Sequence, residues 1–594
     1  WEPAWAALDS ALQSLQVPGA PSGTWHAQAQ ALRVLEAQAS LAAAAPAAAH
    51  WERRRLVALR RAGETLEAAS RAYAHPSERG RWLAAHAHLF PQAVAAVWEQ
   101  AGGQPDPAAI QEAFDLAERA RSMNLRQHLL EVEAQHGAGL PPALRAEGQA
   151  LRREIALLRY QGTTSPEQAW QRAERERQYD WWVTHLRQRF PAFEALYDPA
   201  PAREVPLASD QALVTFVATP VGWFRFVRIE DRMEMTRLSL PVAAVDSLVR
   251  QCRMQIEARQ AAWQETGYAL YQTLLGDVEF PASVKRLVLV PEGSLCALPW
   301  EVLPTAPSEA GDIPFLVRRF ALSYRYAAQL AGRSQAGWSF HRPALLAVQP
   351  DFGPGDSLPP LTGTRTEVAA ILDIWPGQRL VGTAASEAAL RAQAPGYGLI
   401  HIATHGLLAD TQPWQSWLAL AAGGDGAGVD GRLHLYELLD WSLRAELVTL
   451  SACHTGMGNW VEGEGMMSLA RGFAYAGASS VVMSLWAVPD GPTAELMPAF
   501  YAGLRAGLPK DEALRQARLA YLASQPSERQ HPYYWGAWVL TGDTAPLSRP
   551  LPWGWLAGGL LLIGLGAYGL RARRRAVAGP AGHSSPYGRP NRPG

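Results

Sequence analysis

Lysine is nearly absent from this chain. Lys285 and Lys510 are the only two, and arginine supplies the rest of the 54 Lys+Arg. Charge of either sign is scarce, at 18% of residues against roughly 25% in an average chain. The 54 cations meet 55 Asp+Glu, a formal net charge of −1, so no global basic field exists to hold nucleic acid. Cysteine is scarcer still: Cys252, Cys296 and Cys453. Three cysteines build no disulfide framework, and none has CxxC spacing. Each is therefore a small buried hydrophobe or a reactive thiol. No GxxxxGK[ST] phosphate loop is present. Gly423-Gly424-Asp425-Gly426-Ala427-Gly428 is glycine-rich but opens no helix and reads as a turn, which argues against a nucleotide-binding protein. One uncharged apolar run, 553–570, lies near the end.

What is present is ample for folding. Hydrophobic residues make up 48% of the 594, which excludes wholesale disorder, and the length allows roughly four domains. Residues 1–200 are Ala- and Leu-rich with helical periodicity. Segments 25–39, 52–74 and 108–136 read as amphipathic helices, and 144–158 with 166–189 as a longer charged pair. Pro18-Gly19 and Gly102-Gly103 punctuate them. The expectation is an all-α region of stacked hairpins, degenerate tetratricopeptide-like repeats or another helical bundle. Near Pro201 the texture changes. Runs 212–217 and 223–229, split by Pro220-Val221-Gly222, read as a β-hairpin, and 242–275 as one long helix. Apolar, β-branched runs at 286–290, 344–348, 399–403, 445–450 and 480–485 then alternate with helical segments such as 365–374 and 386–394. That alternation predicts an α/β domain over 201–545 with a mostly parallel sheet flanked by helices. Its ligand site is expected outside the carboxyl ends of the strands.

Residues 546–594 read as a Pro-rich linker, a transmembrane helix over 553–570 and a basic, disordered tail. The apolar run has 18 residues, which reaches the roughly 17–25 needed to span a bilayer, and Trp553 and Trp555 suit an interfacial belt. Arg571, Arg573, Arg574 and Arg575 place the tail in the cytoplasm by the positive-inside rule and the body outside it. A cytoplasmic body with a tail anchor is the alternative, and a cleaved sorting signal has the same layout. A start at Trp1 rather than Met is that expected of a trimmed chain or of one whose signal peptide has been removed.

Two strand ends carry chemistry. The run Leu399-Ile400-His401-Ile402-Ala403-Thr404-His405-Gly406 ends with His405 at its carboxyl end. In Val448-Thr449-Leu450-Ser451-Ala452-Cys453-His454-Thr455-Gly456, Cys453 sits at the carboxyl edge. A cysteine peptidase needs a thiolate nucleophile and an imidazole that takes its proton and returns it to the leaving amine. The two residues lie 48 apart in the chain, room for a strand–loop–helix–strand return and close to the roughly 50 between a caspase His and its Cys. His401 and His454 compete as bases. Gly406 and Gly456 let the backbone approach a substrate carbonyl, and the Gly406 and Cys453 amides suit an oxyanion hole.

These two segments resemble the signature segments of the CHAT family, caspase-like cysteine peptidases often fused to tetratricopeptide repeats. Val290-Pro291-Glu292-Gly293-Ser294-Leu295 and Leu298-Pro299-Trp300-Glu301 resemble the family's early strand and turn. Gly463-Glu464-Gly465, Leu469-Ala470-Arg471 and Ala476-Gly477-Ala478 resemble the stretch after its cysteine. Ser484-Leu485-Trp486, Phe500-Tyr501 and His531-Pro532-Tyr533-Tyr534-Trp535 resemble its closing segments. The similarity covers about 210–545, and Ala117-Glu118-Arg119-Ala120-Arg121 resembles the last helical repeat before the domain. The resemblance implies a caspase/separase-type fold, with His405 as base and Cys453 as nucleophile. It implies peptide-bond cleavage without metal or cofactor. Related basic-specific peptidases carry Asp two residues before the nucleophile, where this chain has Ser451. Asp490 is expected to shape the substrate pocket or to cap the helix after it. Glu464 is expected to order the loop over the cysteine or to be a surface carboxylate.

The resulting expectation is a membrane-anchored cysteine endopeptidase. It takes a protein or peptide substrate and no nucleic acid, and its helical region binds a regulatory protein. The alternative is a catalytically silent CHAT-fold scaffold.

Overall fold

The computed structural model describes residues 1–15, 25–45, 49–72, 82–119, 121, 123–160, 165–197, 205–307, 312–330, 344–352, 358–361, 363–409, 412–422, 430–453, 455–461 and 465–547. Residues 1–338 and 343–547 belong to one compact unit.

The apolar runs become strands because both faces of the sheet are covered, which lets apolar side chains alternate with apolar side chains. In chain order the strands are β1 (Gln211–Thr219), β2 (Gly222–Ile229), β3 (Arg232–Arg237), β4 (Arg286–Val290), β5 (Ala321–Tyr324), β6 (Leu345–Gln349), β7 (Gly377–Val381), β8 (Leu399–Ala403), β9 (Gly406–Leu407), β10 (Trp417–Ala419), β11 (Arg432–His434), β12 (Leu447–Ser451), β13 (Gly458–Val461), β14 (Gly465–Ser468), β15 (Ser480–Ser484) and β16 (Trp538–Gly542). Eleven form one sheet in the order β3-β2-β1-β4-β5-β16-β15-β12-β8-β6-β7. β1, β4, β5 and β16 are mutually parallel, as are β15, β12, β8, β6 and β7. β15 and β16 pair antiparallel, so strand direction reverses there and the two halves end at opposite edges. β9–β11 and β13–β14 form separate small sheets.

The expected hairpin forms with Thr219 opposite Gly222; the turn needs glycine at position 222, whose φ is +131°. The expected long helix over 242–275 is two helices, Val242–Glu257 and Trp263–Leu274. Arg259, at φ +54°, makes the turn that lets Trp263 bury against Phe315. No Gly or Pro marks the break.

The helical region is as expected in kind. Helices Trp25–Ala44, Ala49–Ala72, Leu89–Gln100 and Pro107–Arg119 pack each on the next. This stack covers the hairpin: Trp98 meets Phe224 edge-on at 5.2 Å and Phe114 meets Phe226 at 5.8 Å. The helix read over 108–136 is broken into Pro107–Arg119 and Met123–Gly137. Arg121, between them, turns its guanidinium to the Val290 carbonyl (3.1 Å) and the Glu292 carboxylate (3.0 Å). Helices Pro142–Tyr160 and Pro166–Arg189 form the expected charged pair, and the second opens on a capping box between Ser165 and Gln168.

One expectation is corrected. Among the described residues no helix is long and apolar enough to cross a membrane. The transmembrane helix assigned to 553–570, and the membrane-anchored localisation built on it, therefore do not stand; that stretch lies outside the described residues.

A buried ion pair closes the centre of the sheet. Arg518, from helix Lys510–Ser524, lies 3.1 Å from Glu301, donates to the Trp538 carbonyl, and both charges are fully buried. Tyr324 donates to the second Glu301 oxygen at 2.8 Å. Removing one partner of such a pair leaves a buried charge unanswered, at about 3–5 kcal/mol. Arg518→Met is thus expected to lower the thermal midpoint, and Glu301→Leu with Arg518→Met to recover most of the loss. An unchanged midpoint in the single variant contradicts this account.

Candidate active site

β8 and β12 are neighbours in the sheet and parallel, with Ala403 in register with Ser451. His405 and Cys453 each follow two residues after that pair, so both leave the sheet at one level of the same edge. Both side chains are half-buried. The backbones beyond them touch: the Cys453 carbonyl lies so close to Gly406 that a Cβ there would meet it at 2.5 Å. Only glycine fits this approach.

His405 Nε2 lies 2.8 Å from the Pro359 carbonyl. A carbonyl only accepts, so this contact favours the tautomer with the proton on Nε2 and a lone pair on Nδ1. The Phe352 ring backs the imidazole at 5.1 Å. Pro359 thus orients the His405 ring. As a backbone carbonyl it has no sequence signature. The His405 carbonyl accepts from the Ala419 amide (2.9 Å), and Gly406 is opposite Leu418. In the alternating pattern of an antiparallel ladder, the Gly406 N–H then faces away from β10. No hydrogen bond joins His405 to Cys453 among the described residues; such bonds are often long before substrate binds.

Burial pushes the Cys453 thiol above its usual range, and the negative charge of Asp490 pushes it further. Asp490 is the first residue of helix Asp490–Ala506, and its carboxylate accepts from the Gly363 amide at 2.9 Å. It therefore acts on Cys453 from the start of one helix while fastening the start of another, Thr364–Ile374. The helix after it begins at Asp490 itself, with Pro489 at the cap position.

Ser451 is buried, and its hydroxyl donates to Glu367 at 3.0 Å. His401, one of the competing bases, is fully buried behind it. Its Nε2 lies 3.3 Å from Glu367 Oε1 and its Nδ1 3.2 Å from the Tyr501 hydroxyl, which donates to Thr449 at 3.1 Å. Nδ1 is thus hydrogen-bonded within the core, while Nε2 lies near the Glu367 carboxylate without a hydrogen bond to it. Glu367, Tyr501 and Thr449 had no place in the sequence reading of the site. Periodicity shows that a helix face is buried, not which polar groups on it meet. The other competitor, His454, and Glu464 lie outside the described residues. Among the described residues no group of three or more His, Cys, Asp or Glu is placed to hold a metal ion.

The remaining cysteines differ in surroundings. Burial pushes the thiols of Cys252 and Cys296 up to about 12, and Cys296 donates to the Pro291 carbonyl.

The sign of the Asp490 effect is testable. A raised thiol pKa keeps Cys453 protonated at neutral pH, and its thiolate appears as pH rises. Asp490→Asn removes the charge but keeps an acceptor for Gly363, so the midpoint of Cys453 alkylation by iodoacetamide is expected to move to lower pH. An unchanged or higher midpoint refutes it.

The CHAT domain family model matches residues 264–543. Over 114 residues the chain is 33% identical to tetratricopeptide repeat protein 28 of Mus musculus and 32% identical to that of Homo sapiens. Each match covers 19% of this chain and 4% of the relative, so the chain spans a small fraction of the length of these relatives. Among solved structures, it is similar to two of the Saccharomyces cerevisiae separase–securin complex. One has a TM-score of 0.46 at 11% identity, covering 83% of this chain and 37% of that one. The other has a TM-score of 0.41 at 10% identity, covering 91% and 48%.

Proposed function

Because residues 264–543 form a CHAT domain, we propose that the chain is a caspase-like cysteine endopeptidase with His405 as base and Cys453 as nucleophile. The observation that carries this reading is the register of β8 on β12, which brings the two residues to one edge of the sheet. The pair opens on the carboxyl ends of parallel strands, where such sheets bind ligands.

The chemistry follows from the groups present. His405 Nδ1 takes the Cys453 proton as the sulfur attacks the scissile carbonyl carbon. The oxyanion is held by the Gly406 and Cys453 amides. His405 gives the proton to the leaving amine, and the C–N bond breaks to leave a thioester. Water, deprotonated by His405, then releases the acid and restores the thiol. Since burial and Asp490 both oppose a standing thiolate, the proton transfer accompanies attack instead of preceding it. The Asp490 carboxylate, exposed beside the thiol, is the pocket group that a substrate side chain meets. The helical region would bind the protein partner.

A raised thiol with no hydrogen bond to its base also suits a silent, scaffolding CHAT domain. A thiol-directed substrate-like probe separates the two readings. The enzyme is expected to label at Cys453 in preference to Cys252 and Cys296, and His405→Ala is expected to suppress that labelling. Cys453→Ala and His405→Ala are each expected to abolish cleavage of a partner protein while leaving the thermal midpoint near that of the parent chain. Cleavage that persists in both variants rules out the peptidase reading.

A further inference from the structure

A cavity of about 260 Å³, lined by neither His405 nor Cys453, lies beyond the carboxyl ends of β1, β4 and β5. Its walls carry three guanidiniums, Arg121, Arg325 and Arg471, against one carboxylate, Glu292. Glu292 is already committed: it lies 3.0 Å from Arg121 and accepts from the Ala218 amide at 3.3 Å. Arg121 is further answered by Glu118 at 3.6 Å. Arg471 is buried, with its guanidinium 4.8 Å from the Tyr326 ring centre.

Arg325 is the group left over. Its Nη1 is buried and finds no acceptor among the described residues. Asp543, Asp511 and Glu118 act on it only through space, and burial lowers its pKa to about 10, which still leaves it charged at neutral pH. A buried donor without an acceptor is costly, and a planar guanidinium fork matches the oxygens of an oxyanion. Several cations around a small volume favour a group that concentrates two charges, as a phosphate does, over a single carboxylate. We propose that this cavity binds a small molecule through a phosphate or pyrophosphate group, with Arg325 as its principal partner.

Binding is measured by calorimetry on the full chain carrying Cys453→Ala, so that the result does not depend on the peptidase reading. Sodium pyrophosphate, inorganic phosphate and citrate are the probes. Pyrophosphate is expected to bind with the highest affinity and citrate with the lowest. Arg325→Met is expected to weaken pyrophosphate binding at least about tenfold, the loss of one charge-assisted contact, without lowering the thermal midpoint of the unliganded chain. Should that variant fail to fold, Ala218→Leu, which fills the cavity from another wall, carries the same test. Absence of binding at millimolar pyrophosphate, equal affinity in the substituted chain, or a preference for citrate overturns the proposal.

Discussion

The parallel pairing of β8 with β12, Ala403 beside Ser451, sets the position of every group near Cys453. A slip of one residue in either strand would turn every side chain to the other face. It would also separate His405 from Cys453 along the edge. The apolar residues of such strands, as Leu447, Val448 and Leu450 in β12, do not by themselves fix a register, because one packs much as the next does. The polar groups do. Ser451 on β12 and His401 on β8 meet the same Glu367 carboxylate, and Tyr501 reaches both His401 and Thr449. A slipped register would bury these groups without partners, at a cost that apolar contacts do not recover.

The surroundings of the dyad explain how one short segment handles both its base and its electrostatics. Pro359 meets His405 Nε2 and Gly363, four residues on, holds the Asp490 carboxylate. The first contact leaves Nδ1 as the basic atom. The second keeps a negative charge where it opposes a thiolate. Together with burial, that charge holds the Cys453 thiol above its usual range.

Much of this was legible in the sequence, for identifiable reasons. β8, β12 and β15 are buried on both faces, and their runs declare themselves. The placing of His405 and Cys453 at one edge of the sheet followed from where those runs end. β7 was not legible, since Gly377-Gln378-Arg379 is exposed at the edge of the sheet. Nor was β16, inserted antiparallel to β15 between strands distant in sequence. The two helices read as continuous are broken at Arg259 and Arg121 by tertiary demands, the burial of Trp263 and an ion pair to Glu292, and local propensity shows neither. The sequence reading treated Ser451 by comparison with basic-specific peptidases. In the structure its hydroxyl is committed to Glu367, so the charge beside the nucleophile comes from Asp490 instead.

The reversal of strand direction between β16 and β15 has one further consequence. β12 and β15 are parallel neighbours, so the chain after Cys453 must return from the carboxyl edge of β12 to the amino end of β15. That end lies at the edge of the sheet where β4 and β5 end, because β15 runs antiparallel to β16 and its parallel neighbours. Thr455 accepts from Ala470 at 3.1 Å, and Gly456 donates to the Ser484 carbonyl at 2.9 Å. Gly456, Ser468 and Arg471 on this crossover also line the arginine-bearing cavity. Cys453 and part of the cavity wall thus lie on one connection, which Gly456 fastens to the carboxyl end of β15.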